Sequence, residues 1–172
     1  MAHRHRPRRP LVAARAARIA AAVLLCLFCA ACVFDDYGPI EALRKMPEAS
    51  LYYPGSKVVD EVSNPRTSGP DGQHGASYGH NVAVNGSPDD VVAFYDRELT
   101  ARGWTRGTGI GASGLADASW RKPGFSFVVV IFAAQMPGLP SDMAQAYSGY
   151  DLSVSLSLHE RWPPDSPSPG TS

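Results

Sequence analysis

Cysteine is scarce in this chain and confined to one place. All three cysteines fall between Cys26 and Cys32, so nothing beyond residue 32 can form an internal disulfide. Acidic residues are missing from the start: six arginines stand before residue 19, and the first acid is Asp35. Charge as a whole is sparse, at 19% of 172 residues, and sums to zero. From residue 32 onward, however, ten basic residues face sixteen acidic ones, a net of −6 that excludes a basic nucleic-acid footprint. The length excludes a multi-domain machine and fits one modest globular domain. Missing too are a G-x-S-x-G nucleophile turn and a phosphate-loop lysine.

What is present begins with an Arg-rich head over residues 1–18, followed by sixteen uncharged residues, IAAAVLLCLFCAACVF, that end at Asp35 and Asp36. A spanning helix needs about 20 apolar residues, whereas the apolar core of a secretory signal runs about 7–15. The layout is that of an export signal, occupying residues 1–31. Ala30 and Ala31 immediately precede Cys32. Small residues just before a cysteine resemble the bacterial lipobox, in which the cysteine is acylated and becomes the first residue of the mature chain. Cys26 and Cys29 fit that pattern less well, each following a bulky residue, Leu25 or Phe28; around Cys32 the departure is Cys29, which stands three places before it where the lipobox usually has a leucine-like residue. Cys32 is therefore the expected lipidation site. The resemblance implies a membrane anchor on the extracytoplasmic side, since each buried CH₂ contributes about 0.8 kcal/mol and two or three chains hold durably.

Beyond the anchor the sequence divides into a tether with a short helix (32–49), an α+β domain (50–162) and a tail (163–172) too rich in Pro and Ser to bury anything. Pro39 suits a helix start and Pro47 a stop, predicting a helix over 40–46. Tyr53-Pro54-Gly55-Ser56 is a type II turn leading into a strand near 56–63. Residues 64–76 concentrate Gly, Pro, Asn, Asp and Ser and predict a mobile loop, after which 78–85 is extended. Ser87-Pro88-Asp89-Asp90 combines an N-cap, an N1 proline and first-turn acids, and Val91, Val92, Tyr95 and Leu99 form the apolar stripe of a helix that Gly103 ends. A short strand from Trp104 follows. Lys122-Pro123-Gly124-Phe125 then turns an alternating strand from residue 116 into the apolar run 125–133, the expected central strand. Residues 134–149 are expected to be a loop. In YDLSVSLSLH, Leu152, Val154, Leu156 and Leu158 alternate with Asp151, Ser153, Ser155, Ser157 and His159, so one face is buried and the other open. The expectation is a two-layer α+β fold: an antiparallel sheet of about five to six strands with one main amphipathic helix on one face.

The segments MPEASLYYPGS, DVVAFYDRELTARGW and ASWRKPG resemble small uncharacterised lipoproteins of high-GC, actinobacterial-type bacteria. Their mark is a tyrosine-proline-glycine turn and a helix exit of the form FY-x3-L-x3-GW, here Phe94, Tyr95, Leu99, Gly103 and Trp104. The resemblance covers most of residues 46–160. It implies envelope anchoring and an α+β fold, and no reaction.

Candidates for chemistry are few. His74 and His80 flank a glycine-rich stretch with Asp71, without an accepted metal-ligand spacing. Ser153, His159 and Asp151 offer the residue types of a hydrolase triad, yet all three lie on one strand face. Gly107 to Gly114 lacks the phosphate-loop lysine and reads as a flexible hairpin loop, while Asp89 and Asp90 are accounted for by the helix start. Tyr52, Tyr53, Tyr78 and Trp104 supply aromatics for a ligand wall or, more simply, for core and rim. No catalytic, metal or cofactor residue is assigned. The reading is a non-catalytic, lipid-anchored envelope protein that contacts the membrane through Cys32 and another envelope component through its open sheet face or the 64–76 segment. The alternatives are a small-molecule or lipid carrier, which needs an apolar cavity of some hundreds of Å³, and an unrecognised hydrolase.

Overall fold

The structure is a computed structural model that describes residues 34–69, 72–136 and 138–161. The signal at 1–31, Cys32, Asp71 and the tail at 163–172 lie outside the described residues. The folded body runs from Phe34 onward. Its elements are β1 (Phe34–Asp36), α1 (Gly38–Arg44), a 3₁₀ turn (Pro47–Ser50), β2 (Lys57–Asn64), β3 (Arg66–Gly69), β4 (Gly72–His74), β5 (Ser77–Val84), α2 (Pro88–Ala101), β6 (Thr105–Arg106), β7 (Ala116–Lys122), β8 (Phe125–Ala133), α3 (Ser141–Ala146) and β9 (Leu152–Glu160). The class is α+β with one main helix, as the patterning predicts.

A six-stranded sheet in the order β2-β5-β9-β8-β7-β6 forms the platform, and every pairing in it is antiparallel. The chain leaves β5, crosses the sheet as α2 to the far edge, and returns through β6, β7 and β8 until β9 fills the gap beside β5. Strands β2 and β5 belong to one long hairpin. Its outer part, β3 and β4, is taken up by a second small sheet in which β3 pairs with both β1 and β4. The mobile loop expected at 64–76 is thus mostly strand. Turn-forming residues do mark a reversal there, but β3 and β4 pair across it, and β1, some thirty positions away in sequence, adds a third strand beside β3.

Helix α2 shows how local chemistry sets an element. Ser87 Oγ accepts from Asp90 N at 3.2 Å and donates to the Asp90 carboxylate at 2.6 Å, with Pro88 at the first helical position. At the other end Gly103, at φ 79°, lets Trp104 N reach Leu99 O (3.0 Å) and Gly103 N reach Thr100 O (2.9 Å), the paired bonds of a Schellman ending. Val91, Tyr95 and Leu99 are fully buried against the sheet. Opposite them lie Val82, Leu156, Leu158, Phe127, Val129 and Trp120, one side-chain layer from neighbouring strands. Burying each such leucine or valine contributes about 1.5–3 kcal/mol.

Helix α1 also enters this core through Ile40 and Leu43. The short helix expected within residues 32–49 is thus packed into the core. The strands of β5 and β9 approach closely at Gly79, where a Cβ would stand 1.9 Å from Leu156 O.

Candidate functional site

The second face of the sheet carries the alternate residues of each strand. Ser153, Ser155, Ser157 and His159 of β9 sit beside Ala83, Asn81, Gly79 and Ser77 of β5 and beside Phe132, Val130, Val128 and Ser126 of β8. This face is not bare. The segment expected to be a loop at 134–149 contains α3, and Tyr147 and Met143 pack there with Ala83, Ala134, Tyr150 and Val59. A register shift between Val58 and Asp60 frees Val59 from the β2–β5 ladder and makes it part of that contact. Lys57 Nζ reaches Ala146 O at 3.5 Å.

Along the β7 edge the glycine-rich stretch is held rather than loose. Gly107 N donates to Ser119 O at 2.7 Å, Ser119 Oγ donates to Thr108 O at 2.6 Å, and Ala112 N donates to Asp117 Oδ2 at 3.3 Å. A Cβ on Gly107, Gly109 or Gly114 would come within 3 Å of Ser119 Oγ, Asp117 Oδ1 or Ile131 O respectively. The glycines are there for close approach. What remains partly exposed is a strip of Asn81, Ser155, Ser157 and His159 flanked by Ser126, Val130 and Phe132 of β8, with Val62 of β2 exposed at its edge.

Within that strip Ser157 Oγ lies 2.8 Å from His159 Nε2, and Asn64 Nδ2 donates to Ser77 Oγ at 2.9 Å next to it. The triad drawn from sequence is not assembled. Asp151 sits at the opposite end of β9, where its carboxylate accepts from Gly86 N at 3.2 Å, and Ser153 is engaged by the Tyr147 hydroxyl. Strand alternation alone would have singled out Ser157, two residues from His159. Burial pushes the His159 imidazole below its usual value of 6.5, so at neutral pH it is uncharged, and its Nε2 shares a hydrogen bond with the Ser157 hydroxyl whose direction follows the ring tautomer.

That shift has a sign. Below pH 6.5 the unfolded chain takes a proton that folded His159 declines, so stability falls as pH drops through that window. Urea midpoints measured at about pH 7.5 and about pH 5.5 should therefore converge in His159→Asn relative to wild type, the difference being at most about 1.4 kcal/mol per pH unit. Parallel declines in the two proteins would refute the assignment.

On the helix face two polar clusters interrupt the core. Glu48, only 3% exposed, accepts from Trp104 Nε1 at 2.8 Å and from Lys122 Nζ at 3.2 Å. Beside it, Tyr78 Oη donates to Glu61 Oε2 at 3.0 Å and lies 3.2 Å from His80 Nε2. Because the phenol proton is committed to Glu61, His80 is the donor in the second bond, and its Nδ1 is buried with no hydrogen-bond partner among the described residues. Arg44 reaches Glu61 at 2.7 Å and lies 5.1 Å from the Tyr78 ring centroid. Hydrogen bonds from Arg44 and Tyr78 hold the Glu61 carboxyl below its usual range. A void of about 10 Å³, the size of one water molecule, is lined by Glu48, Tyr78, His80, Phe127 and Leu158 among others. Sequence patterning finds neither Glu48 nor Glu61, since their partners lie far away along the chain.

The remaining sequence candidates separate. Trp104 and Tyr78 are core residues, while Tyr52 and Tyr53 stack edge-on with His80 and Phe94. His74 is exposed on β4, apart from His80 on β5. Among the described residues no three His, Cys, Asp or Glu side chains converge as metal ligands, and no helix is long and apolar enough to cross a membrane. No protein-family model, curated protein or solved structure matches the chain.

Proposed function

We propose that this chain is a lipid-anchored protein of the extracytoplasmic face of a cell membrane, acylated at Cys32, whose α+β domain serves as a non-catalytic interaction module for another envelope component. The observation that carries the reading is the order of parts: basic head, apolar run, two alanines, Cys32, and then a folded ladder that begins at Phe34. The partly exposed strip of Asn81, Ser155, Ser157 and His159 is the contact surface, because hydroxyl and amide groups bordered by apolar Val62, Val130 and Phe132 suit a protein partner. The carrier reading is weaker. Between sheet and helices the space is filled by Tyr95, Trp104, Trp120 and Phe127, each at most 2% exposed.

Radiolabelled palmitate supplied to expressing cells should label the wild-type protein and place it in the membrane fraction. Cys32→Ala should lose the label and leave the membrane. Label retained by Cys32→Ala, or wild-type protein recovered soluble with its first thirty residues intact, would overturn the anchor.

A further inference from the structure

The fold determines which end of the domain such an anchor holds. Strand β1 runs antiparallel to β3, with Asp36 beside Arg66 and Phe34 beside Ser68. The chain traced backward from Asp36 thus heads toward the turn between β3 and β4, the tip of the long hairpin. Only Val33 separates Cys32 from Phe34, and two residues of extended chain span at most about 7 Å. An acyl anchor on Cys32 therefore has almost no linker. Arg66 locks this end, pairing with Asp36 at 3.0 Å and with Glu160 at the close of β9.

Charge along the sheet points the same way. At the hairpin end, among the described residues, Asp35, Asp36, Glu48 and Glu160 are matched in number by Arg66, Arg121, Lys122 and Arg161, with Arg66 paired to Asp36 and Glu160 and Lys122 to Glu48. The opposite rim is formed by the starts of β2, β7, β9 and α2 and by α3. It carries Asp89, Asp90, Asp117, Asp142 and Asp151 against Lys57, a net of −4. Among the described residues none of these five acids is in an ion pair. The eight residues of β5 place that rim about 25 Å further out, two to three screening lengths at physiological salt. Turned inward, it would be repelled by anionic headgroups.

We infer that the β3–β4 hairpin end rests on the phospholipid headgroups and that the acidic rim faces away from the bilayer. This rests on the lipid-anchor reading. The mature chain has no cysteine but Cys32, so an introduced thiol gives a single labelling site. The test uses purified acylated protein in vesicles of phosphatidylethanolamine and phosphatidylglycerol containing a headgroup-nitroxide lipid. A fluorophore on Ser68→Cys, exposed on β3, should be quenched severalfold more than one on Ser148→Cys, exposed beyond α3. Gln73→Cys on β4 is a second probe of the hairpin end, should Ser68→Cys disturb the ladder. Equal quenching, or stronger quenching at Ser148, in protein shown by mass to be acylated overturns the orientation and leaves the anchor standing. Absence of acylation overturns both.

Discussion

Replacing Phe127 with alanine is expected to lower the free energy of unfolding by about 3–5 kcal/mol, a large share of the roughly 5–15 kcal/mol available to a domain of this size. Phe127 is 2% exposed, and its ring centroid lies 5.8 Å from Tyr95, 6.2 Å from Trp104 and 6.4 Å from Trp120. Those three rings come from α2, from the helix exit and from β7, so this one side chain joins the helix layer to the sheet. The cost belongs at the upper part of the range because the site cannot collapse. Trp120 is tied by its indole N–H to Asp96 at 2.9 Å, and Trp104 is tied to Glu48. Neither ring can swing into the space without breaking a bond that then has no replacement. Phe127→Leu, which keeps most of the volume, should cost less than about 1.5 kcal/mol. Urea unfolding followed by tryptophan emission reads both variants. A loss below about 1.5 kcal/mol for Phe127→Ala would show that the aromatic cluster is plastic and that α2 is held elsewhere.

What the sequence disclosed about this fold follows a physical line between local and distant causes. Helix α2 is legible because its cap, its proline, its stripe and its terminal glycine act within a turn or two of the backbone they control. Strand β9 is legible because Leu152 to Leu158 and Ser153 to His159 alternate with the period of a strand half buried on a sheet. The turn at Pro123-Gly124 is marked by a glycine that takes φ 79°. Strands β1, β3 and β4 are hidden because ladder bonds are made by backbone groups that any residue carries, and the pairing of Phe34 with Ser68 is invisible in the composition of either segment. Helix α3 is six residues between Pro140 and Gly149, too short for periodicity to emerge. The candidate surface is half legible in the same sense: alternation identifies its serines and sets Ser157 beside His159, but only the fold shows that Tyr147, at the end of α3, engages Ser153.

Glu48 is the clearest case of a role assigned by distant partners, and it carries the second large effect. In sequence it stands after Pro47 as an ordinary polar residue. In the fold its carboxylate is buried and accepts bonds from residues 56 and 74 positions further along the chain. Burial works against its charge, but hydrogen bonds from Trp104, from its own backbone N–H and from Lys122 together outweigh that and hold the carboxyl below its usual 4.5. Glu48→Ala should cost about 2–4 kcal/mol, chiefly because the Trp104 N–H is left buried without an acceptor. Lys122, being 29% exposed, can turn to solvent. Glu48→Gln retains an acceptor for Trp104 and should cost less at neutral pH. The depressed carboxyl contributes stability that is present above pH 4.5 and is lost as pH falls through its folded value, since the unfolded chain takes up the proton first. The gap between wild type and Glu48→Gln should accordingly narrow on acidification, while both retain the acid sensitivity due to Glu61, Asp96 and Glu98, whose carboxyls are also held low. A gap that stays constant from neutral pH down to about pH 3 would mean that Glu48 is held by geometry alone and that its charge does nothing for the fold.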